Sequence, residues 1–203
     1  MKKRALEILL QQIPPLSQPK PFLEQYSTPA TIAADVLFTA YANNDIEDKI
    51  VIDLGCGNGI FAIGASLLNS KMSIGVDADP LALKEAKANA SAIGADVEFV
   101  LARIPHFSAR ADVAIQNPPF GSQRRGADRP FLETAMSVAS VIYTMHNAET
   151  VEFVLNFVMN SGWEIVLQKR YKFVIPHMFE FHKKMKKDFD VLLLCIRRSG
   201  EKR

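Results

Sequence analysis

At 203 residues and 22.6 kDa the chain fits one domain with a core of its own, and 48% hydrophobic against 23% charged residues excludes a disordered or low-complexity polymer. The net charge of +2 hides a segregation: residues 168–203 hold 11 Lys/Arg against 4 Asp/Glu, leaving about −5 on the first 167, so the basic end is expected to meet a polyanion. Two distant cysteines, Cys56 and Cys195, with no second ligand at metal spacing, argue against a zinc site, and no apolar run reaches the roughly 18 residues of a membrane span.

Residues 2 to 13 read as an amphipathic helix with Leu6, Leu9, Leu10 and Ile13 on one stripe, ended by Pro14-Pro15. After a proline-rich loop, Thr28 is the expected N-cap and Pro29 the first residue of a helix through about Tyr41. Strand and helix then alternate. Lys49 to Leu54 is a buried strand, Gly59 to Leu68 a helix, Met72 to Val76 a strand, Leu81 to Ile93 a helix and Val97 to Leu101 a third strand. Asp112 to Gln116 is a fourth strand, Phe131 to Ala139 a helix, Val141 to Met145 a fifth strand and Ala148 to Met159 a helix. Apolar segments at Glu164 to Val174 and Phe189 to Ile196 complete seven strands, with a charged helical stretch from His177 to Lys187 expected between them. Such alternation predicts an α/β fold, a doubly wound and mostly parallel sheet covered on both faces, whose last strands close it in antiparallel fashion.

The basic start, Met1-Lys2-Lys3-Arg4, leads into a stretch with Glu7, Gln11 and Gln12 and no small-residue cleavage site, so no signal peptide is expected. A reducing cytoplasm is the expected setting.

Asp53-Leu54-Gly55-Cys56-Gly57-Asn58-Gly59 leaves a strand and enters a helix, so its glycines permit a tight turn and the close approach of a ligand. Gly-x-Gly alone also suits a nicotinamide dinucleotide, whose pyrophosphate would sit on the helix N-terminus. Three features favour S-adenosylmethionine. Asp53 would repel a pyrophosphate but can orient a methionine amino group, directly or through water. Asp77, ending the next strand, can accept hydrogen bonds from both ribose hydroxyls, a role that serves either cofactor. The fourth strand runs into Asn117-Pro118-Pro119-Phe120, which has a use in amine methylation and none in hydride transfer.

That use is chemical. An exocyclic amine on a ring has a delocalised lone pair, and two acceptors on its hydrogens help it pyramidalise. The Asn117 side-chain oxygen and the Pro118 carbonyl are the candidates, with Pro119 holding the turn rigid and Phe120 offering a face to a base. No catalytic metal is needed. The loop Gly121 to Arg129 is polar and basic, so Arg124, Arg125 and Arg129 are candidate phosphate contacts. Lys169, Arg170, Lys172, Lys183, Lys184, Lys186 and Lys187 surround Tyr171, Phe173, Phe179 and Phe181, a mixture suited to single-stranded RNA, although core packing is the first role for those aromatics. His146 reads as a satisfied loop histidine rather than a general base.

The segments Leu23-Glu24-Gln25-Tyr26-Ser27-Thr28, Asp53 to Gly59, Gly75-Val76-Asp77, Asn117 to Gly121, Phe131-Leu132, Tyr143-Thr144-Met145-His146 and Phe181-His182-Lys183-Lys184 together resemble the methyltransferase-like protein 5 family. These are small-subunit ribosomal RNA adenine-N6 methyltransferases and their archaeal relatives. The early Glu-Gln-Tyr-x-Thr and the late Phe-His-Lys-Lys discriminate best, because the central motifs occur in many amine methyltransferases. The resemblance implies one class I, Rossmann-like methyltransferase domain over residues 1–203, with N-terminal helices in 1–45 covering the S-adenosylmethionine site. It implies that Gln25 and Thr28 help hold the cofactor, that Gly55, Gly57, Asn58 and Ile60 line the turn, that Asp77 takes the ribose, and that Ile104 packs at the adenine. It implies transfer to N6 of adenosine in small-subunit ribosomal RNA, and work with a small zinc-containing activator protein that covers an apolar edge of the sheet. Guanine N2, DNA adenine or a protein glutamine is the alternative acceptor, and a silent RNA-binding module the alternative from another class. Relatives often carry an acid where this chain has Arg103, which leaves adenine contacts to backbone and apolar groups.

Overall fold

The computed structural model describes residues 1–121, 126–175 and 187–199. Its centre is a seven-stranded sheet built from β1 (Ile50–Leu54), β2 (Met72–Asp77), β3 (Glu98–Leu101), β4 (Val113–Gln116), β5 (Val141–Asn147), β6 (Trp163–Ile175) and β7 (Lys187–Arg198), in the spatial order β3-β2-β1-β4-β5-β7-β6. The first five strands are mutually parallel, while β7 runs antiparallel to both β5 and β6. This is the doubly wound, mostly parallel arrangement expected, with the antiparallel strand inserted between β5 and β6.

Helices cover both faces because the central strands bury apolar side chains on both sides. Val51, Ile115, Tyr143 and Leu193 point into a cluster with Leu6, Leu10, Leu37 and Ile63 of α1 (Lys3–Leu10), α2 (Ala30–Ala42) and α3 (Ile60–Leu67). Their neighbours Ile52, Ala114, Ile142 and Leu194 point the other way, onto Leu132 and Val158 of α5 (Arg129–Val138) and α6 (Val151–Asn160). The period of two along each strand thus fills two cores from one sheet. α4 (Pro80–Ile93) opens with the Asp79 carboxylate accepting from the Leu81 N–H at 3.1 Å and closes on Gly94 in the left-handed region.

Several boundaries differ from the expectations. Pro29, not Thr28, caps α2, and its carbonyl accepts from the N–H groups of Ile32 and Ala33. Thr28 is the residue before a proline, where helical backbone is disfavoured, and its hydroxyl serves another purpose. β5 extends to Asn147, so His146 is a buried strand residue rather than a loop one. Lys187 begins β7; the rest of the His177 to Lys187 stretch lies outside the described residues.

Two polar ties hold the far end of the sheet to the N-terminal helices. Tyr143 Oη donates to Asp45 at 2.6 Å and accepts from Asn43 at 2.9 Å, while Arg197 pairs with the same carboxylate. Asp35 on α2 receives Tyr171 Oη at 2.7 Å and the ammonium groups of Lys3 and Lys169. Burial alone would raise its pKa, but the hydrogen bonds from Lys169, Lys3 and Tyr171 outweigh this and hold it at about 2.

Candidate active site

The chain leaves β1 toward β2 and β3 on one side and returns to β4 on the other, which opens a crevice at the carboxyl ends of the central strands. A cavity of about 670 Å³ occupies it. Gly55, Gly57, Asn58 and Ile60 from the turn into α3, Asp77 from the end of β2, Ile104 from the loop after β3 and Asn117 and Pro119 from the end of β4 line this cavity together with Gln25 and Thr28. Strand ends bring these residues to one place, as they bring ligand groups together in other open α/β sheets.

The turn is shaped for a ligand. Gly57 sits at φ +53°, and a Cβ built there would meet nothing within 4 Å, so the backbone is open toward the cavity. Its N–H donates to Asp77 Oδ2 at 2.9 Å, and the Asp79 N–H donates to Oδ1 at 2.9 Å. Both carboxylate oxygens are fixed in direction by the backbone and each keeps lone-pair capacity for a hydroxyl. Burial raises the Asp77 pKa, opposed by the bonds from Asp79 and Gly57. The equivalent role is not available to Asp53. That residue lies under the turn and does not line the cavity; its Oδ2 accepts from the Ala62 N–H at 3.2 Å, and its Oδ1 has no partner among the described residues. Burial pushes its pKa up to about 8, with the charge of Asp77 adding to the effect and the Ala62 bond opposing it. In this structure the Asp53 carboxyl faces the turn and α3 rather than the cavity. Cys56 is buried against Gly75, a small filler whose thiol pKa is raised by burial.

The segment joining α1 to α2 crosses the cavity mouth as a strap. Leu16, Lys20 and Phe22 to Thr28 all line the cavity, whereas α1 and α2 themselves pack on the sheet. The strap is tied at five points. Asn58 Nδ2 donates to the Pro14 carbonyl at 3.0 Å, and the Ser17 N–H donates to Glu85 on α4 at 3.0 Å. Lys20 Nζ pairs with Asp79 at 2.8 Å, and Gln25 bridges the two, accepting from the Lys20 N–H at 2.7 Å and donating to Asp79 at 3.1 Å. Last, Asn117 Nδ2 donates to Thr28 Oγ1 at 3.0 Å. That bond leaves Asn117 Oδ1 buried without a hydrogen-bond partner among the described residues. An unsatisfied buried acceptor costs about 1–3 kcal/mol.

Elsewhere the expected positions are dispersed. Pro118 is buried and does not line the cavity. Phe120 also lies outside the lining, edge-on to Phe173 and Phe189 with centroids 6.1 and 5.2 Å away. Arg129 opens α5, pairing with Glu133 and lying over the Phe157 ring; Lys169 is tied to Asp35. A phosphate at either cation would compete with an existing partner. Arg124, Arg125, Lys183, Lys184 and Lys186 lie outside the described residues, and of Lys187 only the strand position is described. Sequence reasoning did not single out Lys20, Asp79 or Phe131 for the cavity; of these only Asp79-Pro80 carries a local signature, that of a helix start.

Comparison with known proteins divides the chain. A family model described as ribosomal protein L11 methyltransferase (PrmA) matches residues 35–117, from α2 to the end of β4. Over nearly the whole length, the chain is 34% identical to rRNA N(6)-adenosine-methyltransferase METTL5 of Danio rerio, covering 94% of this chain and 96% of the relative. The chain belongs to the METTL5 family of S-adenosylmethionine-dependent rRNA N6-adenosine methyltransferases. An uncharacterized protein of Methanocaldococcus jannaschii is 38% identical over 98% of this chain and 96% of its own. The crystal structure of a candidate RNA methyltransferase from Pyrococcus horikoshii superposes with a TM-score of 0.90 at 36% identity, covering 98% of both chains. The METTL5 fold thus accounts for the whole chain, including β5 to β7, which the L11 methyltransferase model leaves unmatched. Among the described residues no helix is long and apolar enough to cross a membrane.

The cavity residues fit S-adenosylmethionine on their own chemistry. Asp77 presents fixed acceptors for a diol, the open backbone at Gly57 admits close approach, Ile60, Ile104 and Phe131 offer apolar contact, and Asn117 and Pro119 close the cavity at the β4 end.

Proposed function

We propose that this METTL5-family chain methylates N6 of an adenosine in small-subunit ribosomal RNA, with Asn117, Pro118, Pro119 and Phe120 forming the acceptor site and Gln25, Thr28, Asp53, Gly55, Gly57, Asn58, Ile60, Asp77 and Ile104 surrounding the cofactor. The observation that carries this reading is the convergence of Asn117, from the end of β4, and Asp77, from the end of β2, on one cavity beside the glycine turn.

When bound, S-adenosylmethionine supplies a sulfonium-held methyl group as electrophile. The chain's task is to make a reluctant amine accept it. Asn117 Oδ1 takes one N6–H and the Pro118 carbonyl the other, so electron density is returned to a nitrogen whose lone pair is otherwise spread into the ring. Because donor and acceptor are held in one crevice, orientation contributes much of the acceleration and no general base is required in contact with N6. The amine proton leaves to solvent after transfer. Basic residues outside the cavity, Arg124, Arg125, Arg129, Lys169, Lys183, Lys184, Lys186 and Lys187, guide the polyanion. Exposed Val100 and Leu101 on the open edge strand β3 support a partner there, a small zinc-containing activator protein in this reading, and a cytoplasmic location accords with it.

The test is direct: protein and labelled S-adenosylmethionine are incubated with ribosomal RNA, with and without the activator, and the modified nucleoside is identified by mass spectrometry. N6-methyladenosine is the expected product. N2-methylguanosine, or label on protein alone, overturns the reading.

A further inference from the structure

Thr28 and Asn117 are 89 residues apart in sequence, yet their side chains meet at 3.0 Å inside the cavity wall. An asparagine amide can rotate by half a turn at little cost, exchanging its oxygen for its NH₂ group. In one orientation the amide presents an acceptor to an incoming amine. In the other it presents N–H groups and repels it. A hydroxyl accepts and donates alike, so what the Thr28 hydroxyl, bonded to Nδ2, sets is where this amide sits.

The fold goes to some length to hold that hydroxyl still. On its carboxyl side Pro29 caps α2, and its ring disfavours helical backbone at Thr28. On its amino side the strap is clasped by the Lys20, Gln25 and Asp79 triangle, and the Asp79 N–H in turn bonds the Asp77 carboxylate at the ribose side of the cavity. Thr28 itself is only 6% exposed. A continuous set of contacts thus runs from Asp77 through the strap to the amide at the acceptor side.

Resting on the methyl-transfer reading above, we infer that Thr28 is a positioning residue for the acceptor amide: its hydroxyl holds the Asn117 side chain in place at the cavity wall. A threonine serving the cofactor alone would affect donor affinity. One that orients Asn117 affects the rate with both substrates bound. The two roles separate experimentally.

Thr28→Val keeps the shape and removes the hydroxyl, whereas Thr28→Ser keeps the hydroxyl. With RNA and S-adenosylmethionine both saturating, Thr28→Val is expected to lower kcat on the order of 10- to 100-fold, the scale of a misaligned reacting group, over and above any rise in the S-adenosylmethionine dissociation constant. Thr28→Ser is expected to stay within about threefold of the parent kcat, the loss of one methyl from an intact hydrogen bond. Combining Thr28→Val with Asn117→Ala should be no slower than Asn117→Ala alone, because Thr28 acts through that amide. An unchanged kcat in Thr28→Val, a loss that disappears at saturating cofactor, or additive losses in the double variant overturns the inference. If the valine variant does not fold, Thr28→Ala against Thr28→Ser decides on the same criteria. Should the parent methylate another exocyclic amine, the functional reading fails while the same comparison, run on that product, still tests Thr28.

Discussion

The two halves of the molecule are built on different terms. From β1 to β3 short parallel strands deliver a glycine turn and a carboxylate to a cavity in which nearly every polar direction is set by a backbone N–H or by the strap. From β5 onward the sheet continues as a long antiparallel pair, β6 and β7, with Lys169, Arg170 and Lys172 exposed along its edge. The L11 methyltransferase family model stops where the first half stops, at residue 117, while the METTL5 relatives run through both. A donor site is common property because the donor is always the same molecule. Beyond Asn117 the sequence is matched by the METTL5 relatives and not by the L11 methyltransferase family model.

That division can be broken most decisively at its seam. Asn117→Ala should lower kcat on the order of 10²–10³-fold, the range for removing a preorganised polar group at a reaction centre, with cofactor affinity nearly unchanged by calorimetry. Loss of cofactor binding in that variant would dissolve the boundary between the halves. Within the donor half, Asp77→Ala should weaken S-adenosylmethionine binding by roughly 1–3 kcal/mol and leave RNA affinity alone. An unaltered cofactor dissociation constant removes Asp77 from the site.

Smaller effects sharpen the comparison. Asp35 joins α1 and α2 to β6, so Asp35→Ala should cost roughly 1–2 kcal/mol at pH 7 by denaturant unfolding, after discounting for solvent screening of its partly exposed partners. Its native pKa lies below the unfolded one, so this stability is complete above about pH 4 and is lost as pH falls toward 2; parent and variant should converge there. A gap that persists in acid shows packing rather than charge. Asp53 has the opposite sign. Its native pKa, about 8, lies above the unfolded value, so the folded state holds the extra proton and stability without cofactor declines as pH rises from about 4 to 8, by up to ~1.4 kcal/mol per pH unit. Asp53→Asn should flatten that slope, and an identical slope in the variant returns Asp53 to the ionised state. Least in magnitude, replacing Lys183, Lys184, Lys186 and Lys187 with alanine should flatten the salt dependence of RNA binding by at most about 0.7 logarithmic units per lost phosphate contact, the single-strand value. A parental slope leaves the basic end without a role in RNA binding.

The legibility of each half in the sequence depends on the range of the interactions involved. Gly55 to Gly59, Asp77 and Asn117 to Phe120 stood out because a turn at a strand end is a local event, written in adjacent residues. Thr28-Pro29 was misleading for the same reason: as a local pattern it says helix start, and only the packed chain gives the threonine to Asn117. Asp53 looked like a ligand contact because a strand-terminal acid is visible in sequence, whereas the depth of its burial is not. His146 gave no hint that it would stand in β5 between Thr144 and Asp128, bonded to both at 2.8 and 3.1 Å.

By itself, then, the order of residues determined the alternation of strands and helices, the glycine turn and the Asn-Pro-Pro-Phe turn after β4, since hydrophobic period and turn chemistry act over a few residues. Tertiary structure alone decided which polar atom faces which. A hydroxyl and an amide 89 positions apart meet only after two cores have been filled and a strap clasped, and no local preference encodes a bond closed over that distance.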